Sequence, residues 1–307
     1  MKPIHFSTTT TPNLLRLHAL LNKNTSHPHI HLIDMPYRLT STWQDEGCEI
    51  GLWEQGDQLL AWAVYLPAWW NVDYAIHPDV WGSALEKDVL AWAKEQMIDY
   101  GKRTNETFYG SIEFFADAPK EKKTIEHLAS LGYTKFEWSI LRFEIDIQQQ
   151  VLPEPQVPDG FTIRPLKGVA EVEAYVNAHR AAFGSDKMTV AWRRRSLQHP
   201  AYQPEIDLIA VDTSGNPAGF CVCWQWENTG QIEPLGVHPD YQRLGLGRAL
   251  ELTALQIFRQ RGVHSVQVDH TSFNEKAISL SLQTGFKQIN DALRYFIDVN
   301  NESESTT

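Results

Sequence analysis

The stretch Gln242-Arg243-Leu244-Gly245-Leu246-Gly247-Arg248 has the residue types of an anion-binding turn. It lies between a strand-like run and a long amphipathic one. Two glycines let the backbone adopt conformations barred to other residues and let a ligand approach closely. A helix beginning here would leave its first N–H groups without intrahelical acceptors, and its dipole would add partial positive charge. Such a helix start suits a phosphate or pyrophosphate, and Arg243 or Arg248 could add a charge-assisted contact. A lone Gly-x-Gly also serves as a plain strand-to-helix turn. The motif is no dinucleotide fingerprint, because Leu250 stands where the third glycine is required, and no Walker loop, because no Gly-Lys-Ser/Thr follows.

Other reactive side chains give weaker signals. Cys221 and Cys223 would share one face of an apolar strand, with no further ligands nearby, and read as buried structural thiols. No metal is expected. The only other cysteine is Cys48, so a disulfide framework is not expected either, and the cell interior is the inferred compartment. The 27 basic and 38 acidic residues leave a net charge of −11. That disfavours general nucleic-acid binding, which rests on phosphate neutralisation. Trp192-Arg193-Arg194-Arg195 is one candidate for a local basic patch. An acidic surface would attract cationic small molecules or basic peptides. No apolar run reaches the ~18 residues of a membrane span, and residues 1–7 lack the apolar core of a signal peptide. A soluble, cytoplasmic protein without a membrane partner is expected, as monomer or homodimer.

The elements that would position these residues come in two similar sets. The stretch 148–160, with a glutamine run, three prolines and a closing glycine, reads as a linker. It divides residues 1–147 from 161–299, and the polar tail 300–307 is expected to be disordered. His77-Pro78-Asp79 echoes His238-Pro239-Asp240, each between a strand-like run and an amphipathic helix. Leu85, Val89, Trp92 and Ala93 recur at the spacing of Leu250, Ala254, Ile257 and Phe258. Leu131-Gly132-Tyr133 echoes Thr284-Gly285-Phe286, each glycine at an expected helix C-cap. The halves read as a duplication.

With those residues in place, the second half resembles the GNAT acyltransferase superfamily over about residues 160–299. Gln242-x-x-Gly245-x-Gly247 is similar to the family's loop motif. The lead-in Leu235 to Tyr241, the later Asn274-x-x-Ala277-Ile278-x-Leu280, Gly285-Phe286 and the opening run Phe161 to Leu166 match as well. The resemblance implies two tandem α/β domains, each a mixed, mostly antiparallel sheet flanked by helices, similar to mycothiol synthase-like bacterial acetyltransferases. It implies acetyl-CoA as co-substrate, with the pyrophosphate on the amides of Arg243, Leu244, Gly245, Leu246, Gly247 and Arg248. Gln242 opens that motif. Leu235, Gly236 and Val237 would hold the pantetheine arm and acetyl carbonyl, and Asn274 with Ala277 would contact the arm or orient a water. The first half resembles a degenerate copy. It reads Val80-Trp81-Gly82-Ser83-Ala84-Leu85 in place of the loop and Pro119-Lys120-Glu121-Lys122 in place of the asparagine motif, so it is not expected to bind acetyl-CoA in the usual way.

Acyl transfer to an amine needs a neutral amine, because an alkyl ammonium near pKa 10.4 is mostly protonated at neutral pH. Glu233, in the strand leading to the loop, is the first candidate base, and alternation would set it on one face with Leu235 and Val237. Asp269 and His270 are second. His238 reads as structural. The family's usual acid, a tyrosine seven residues after the motif asparagine, is replaced by Ser281, a poor acid able only to hydrogen-bond the thiolate. Trp69, Trp70, Trp81, Trp224 and Trp226 read as packing, with an aromatic-lined acceptor pocket as the alternative. The reaction expected is acetyl transfer to a small-molecule primary amine. A protein or peptide N-acetyltransferase and a non-catalytic acyl-CoA-binding module are the alternatives.

Overall fold

The computed structural model describes residues 4–23, 29–105, 109–115 and 121–298. The tail 300–307, residue 299 and Pro119-Lys120 lie outside the described residues. Along the first half run β1 (His5–Thr9), α1 (Leu14–Leu21), α2 (Met35–Leu39), β2 (Ile50–Gln55), β3 (Gln58–Leu66), β4 (Asn71–Ile76), α3 (Ala84–Thr104), β5 (Tyr109–Phe115), α4 (Glu121–Ser130), β6 (Thr134–Lys135) and β7 (Ile140–Asp146). The second half continues with β8 (Phe161–Pro165), α5 (Val172–Phe183), α6 (Val190–Gln198), β9 (Asp207–Asp212), β10 (Pro217–Trp226), β11 (Thr229–Val237), α7 (Leu246–Gln260), β12 (Ser265–Thr271), α8 (Glu275–Thr284) and β13 (Lys287–Asp298).

These elements form two compact units. One comprises Met1–Leu32, Thr42–Ile140 and Asp291–Thr307, the other Ile33–Ser41 and Leu141–Asn290. In the first unit the strand order is β1-β2-β3-β4-β5-β13, antiparallel except for the parallel β4–β5 pair. In the second it is β8-β9-β10-β11-β12-β7, with a parallel β11–β12 pair and antiparallel pairs from β8 to β11. The same order with the parallel pair at the same place is a repeated topology.

The units do not follow the sequence division. Residues 292–298 of β13 pair with β5, so the chain's last described strand completes the first unit, while residues 141–146 of β7 and all of α2 belong to the second. An amphipathic strand carries its face pattern locally but not the identity of the ladder it joins. The stretch 151–158 has neither helix nor strand, as its prolines require.

Local signals reappear as geometry. His77 and His238 each accept the N–H two residues on through Nδ1, at 3.3 Å in both, and cap matching 3-10 turns at Pro78–Val80 and Pro239–Tyr241. Gly285 caps α8 at φ +109°, and Gly132 follows α4 at φ +88°. On α7, Leu250, Ala254 and Phe258 are fully buried against Cys221, Cys223, Val266 and Val268. Burying a Leu or Phe side chain stabilises by about 1.5–3 kcal/mol, so this stripe fixes how α7 lies on its sheet. On α3, Leu85, Val89 and Ala93 do the same in the first unit.

Candidate active site

The glycine turn does begin a helix. Gly245 is the N-cap of α7 at φ +93°, and Arg243 also takes a left-handed conformation at φ +64°. The first backbone bond of the helix runs from the Ala249 N–H to the Gly245 carbonyl at 3.0 Å. The N–H groups ahead of it have no backbone acceptor among the described residues. Residues 242–245 and Arg248 are exposed. The two glycines serve different ends. A Cβ on Gly245 would meet nothing within 4 Å, so that position is glycine for its dihedral angle. A Cβ on Gly247 would touch Val237, Leu280 and Leu235 at 3.6–3.9 Å, an ordinary contact. Gln242 donates from Nε2 to the Val237 carbonyl at 3.3 Å and braces the loop against the strand end.

The strand leading to that loop parts from its neighbour. β11 and β12 pair only from Thr229–Ser265 to Gln231–Gln267, although each continues, to Val237 and Thr271. On its other edge β11 stays paired with β10 as far as Val237–Gly219. The backbone of residues 232–237 therefore faces an open split on the β12 side, and Leu235, Gly236 and Val237 lie along it. The register between β10 and β11 shifts between Cys221–Leu235 and Cys223–Ile232. Glu233 and Pro234 thus stand opposite Val222 alone, a β-bulge.

The bulge corrects the expected side-chain alternation. Ile232, Leu235 and Val237 all pack on the core that α7 covers. Glu233 instead acts on the buried hydroxyls of Tyr37 and Tyr175, raising both, with burial the larger cause. Tyr175 and Phe220 pack together, and Phe220 lies beside Gly236, on the sheet face that α5 covers. The Glu233 carbonyl accepts from Trp224 Nε1 at 3.0 Å. Trp224 is buried, its ring tilted against that of Tyr37, which is packing rather than an exposed pocket wall.

The remaining candidates separate. Asp269 is held bidentately by Arg142 at 2.8 and 2.6 Å, with both side chains nearly buried, and is committed to that pair. Asn274 caps α8 by accepting from the Ala277 N–H at 3.3 Å. Ser281 is buried, with Oγ 2.8 Å from His270 Nε2 and 3.4 Å from Glu251. It lies behind His270 and not on an open surface. His270 sits on the length of β12 that runs on past its pairing with β11, and burial holds its pKa below the ordinary histidine value. The Trp192–Arg195 stretch makes no surface patch. Arg193 is fully buried on Asp207, and Arg195 donates to the Thr40 and Ser41 carbonyls. Cys221 and Cys223 lie in the core with their sulfurs 3.6 Å apart. Among the described residues no cluster could hold a metal ion.

Sequence reasoning missed Glu251 and Arg142. Glu251 carried a readable signal: it stands on the buried stripe of α7 with Gly247 and Leu255, where an apolar side chain belongs. Arg142 carried none, because its partner lies 127 residues away.

The first unit shows what the second would be without an open helix start. There the Gly82 N–H donates to Glu86 Oε2 at 2.9 Å, and the Leu85 N–H to Ser83 Oγ at 3.2 Å. A side chain of the helix itself thus accepts from the turn that leads into it. β4 and β5 also part early, after Val72–Ile112. Their split contributes to a partly open pocket lined by Leu20, Ile30, Tyr74, Ile76, Trp81 and Phe114, among others.

Residues 172–286, which hold the loop, the split and the asparagine cap, match the acetyltransferase (GNAT) family. A mycothiol acetyltransferase of Thermomonospora curvata is 30% identical over 168 residues, 52% of this chain and 53% of that protein. One of Paenarthrobacter aurescens is 28% identical over 149 residues, 44% and 45% respectively. The chain thus spans about half the length of the curated relatives it matches. A solved tandem GNAT protein from the clavulanic acid biosynthesis pathway is similar over 97% of this chain and 99% of its own, with a TM-score of 0.67 at 13% identity. A GCN5-related N-acetyltransferase from Sphaerobacter thermophilus is similar over 97% of each chain, with a TM-score of 0.62 at 19% identity. At these identities the structures speak for the fold. The match to the acetyltransferase (GNAT) family thus lies within the second unit, at residues 172–286, and the likeness to a tandem GNAT protein over the whole chain is one of fold.

Proposed function

We propose that the protein transfers an acetyl group from acetyl-CoA to the primary amine of a small-molecule acceptor, with a single donor site in the second unit. The observation that carries this reading is the open start of α7 beside the β11–β12 split. Outward N–H groups and the exposed Arg243 and Arg248 suit a pyrophosphate, and the unpaired edge of β11 at residues 235–237 suits an amide-bearing arm. The family match and the mycothiol acetyltransferase relatives support acetyl transfer. The net charge of −11 favours a cationic acceptor.

In this reading the amine attacks the thioester carbon, the C–N bond forms, the C–S bond breaks, and the thiolate takes up a proton. Glu233, at the bulge, accepts the amine's proton directly or through water. His270, rather than the buried Ser281, is the side chain of its cluster that reaches the unpaired strand. Positioning of the two substrates supplies much of the remaining acceleration.

The test is a panel of amines with acetyl-CoA, following free thiol release. Turnover with small primary amines is expected, and Glu233→Gln should lower kcat by about 10²–10⁴ with acetyl-CoA affinity nearly unchanged. Donor binding without turnover on any amine would favour a binding module. Turnover confined to peptides would favour a protein acetyltransferase.

A further inference from the structure

Glu251 is a carboxyl in the wrong place for a charge. It is 2% exposed, on the core face of α7, and among the described residues no cation makes an ion pair with it. Its contacts are two hydroxyls of α8. Oε2 lies 2.5 Å from Thr284 Oγ1, and Oε1 lies 3.4 Å from Ser281 Oγ. Each hydroxyl has one proton and a second suitor. Thr284 Oγ1 is 3.0 Å from the Leu280 carbonyl, and Ser281 Oγ is 2.8 Å from His270 Nε2. Ser281 and Thr284 can both donate to the carboxylate, but the single Thr284 proton is then shared between Glu251 Oε2 and the Leu280 carbonyl. A proton on Glu251, donated to Thr284, frees the hydroxyl for that carbonyl, so the neutral acid satisfies every member of this buried cluster.

We propose that Glu251 is a positioning residue of the donor site, holding α8 and, through Ser281, His270 against α7, and that its carboxyl takes up a proton and is held as the neutral acid when the loop at the head of α7 binds the phosphates of CoA. This rests on the reading of that loop as the CoA site. The coupling follows from the charges around the carboxyl. Burial raises the Glu251 pKa to about 7, against the hydrogen bonds from Thr284 and Ser281 and the charge of Arg248, one turn earlier on α7, which pull it down. α8 presents only the two hydroxyls. β12 presents His270, held neutral by burial, and behind it Asp269, already paired with Arg142. β10 presents Cys221, whose thiol burial keeps protonated. A bound pyrophosphate cancels the field of Arg248 and adds negative charge at the head of the same helix, so the carboxyl holds its proton more tightly. Linkage makes this reciprocal: protonating Glu251 strengthens donor binding.

The experiment is calorimetric titration of the full chain with dephospho-CoA, which lacks the phosphomonoester that titrates near neutrality, at pH 7 in two buffers of different ionisation enthalpy. A carboxyl half protonated before binding and fully protonated after it takes up about half a proton per ligand. Glu251→Gln, which keeps the shape and a donor, should still bind dephospho-CoA and show no such uptake. Equal proton counts in the two proteins would overturn the proposal while leaving the donor site standing. Absence of dephospho-CoA binding would overturn both. Independently of any ligand, the carboxyl carbon of Glu251 followed by NMR should titrate near neutrality in the wild-type protein. An ordinary carboxyl midpoint would overturn the proposal even if the variant failed to fold.

Discussion

Gly245 and Gly247 stand two apart in one turn and answer to different constraints. Gly245 is at φ +93° with open space where a side chain would go. Gly245→Ala should cost about 1–2 kcal/mol of stability from the left-handed dihedral, read as a lower urea midpoint. Gly247 has helical surroundings and room for a methyl group. Gly247→Ala should be neutral or stabilising by up to about 1 kcal/mol, with donor affinity kept. Glu251 gives a pH signature. Burial raises its pKa from 4.5 to about 7 in the folded protein, whereas the unfolded chain keeps the ordinary value. The folded state therefore binds the proton more tightly. Its contribution is full below pH 4.5 and is lost as the pH rises to 7. A difference of that size is worth about 3 kcal/mol. Urea midpoints across this range should fall with pH in the wild type and fall less in Glu251→Gln. Parallel curves would contradict a protonated Glu251.

At the scale of elements, what was legible in the sequence is what is encoded locally. The His-Pro-Asp turns, the glycine caps, the stripes of α3 and α7 and the start of α7 all depend on residues within a few positions of one another, and each stands in the structure. The face of Glu233 was misread because a one-residue bulge resets strand alternation, and nothing in Ile232-Glu233-Pro234-Leu235 announces the register of β10 beside it. Asp269 reads from its own strand as a candidate base, but Arg142, far along the chain, holds it. That pair joins β7 to β12 inside the second unit. Arg142→Met would leave Asp269 buried and uncompensated and should destabilise by about 3–5 kcal/mol, measured by urea unfolding. A loss under 1 kcal/mol would show that water reaches the site.

For the whole molecule, the duplication is legible in the sequence, but the exchange of strands is not. Residues 291–298 complete the first unit's sheet and residues 141–146 the second's, a choice made by backbone ladders between distant segments. Once both units are built, their proposed difference in donor binding rests on one local contrast. The first unit closes its helix start with Glu86 and Ser83, while the second leaves its helix start open and flanks it with Arg243 and Arg248. Two similar folds should then give one donor site.

That expectation is tested most directly by calorimetric titration of acetyl-CoA into the intact chain, with Gly245→Trp as control. Nothing in the protein lies within 4 Å of the position of a Cβ on residue 245. The indole would therefore occupy the space in front of the loop rather than the core. A stoichiometry near one, lost in Gly245→Trp, is expected. A stoichiometry near two, or binding that survives Gly245→Trp unchanged, would contradict it.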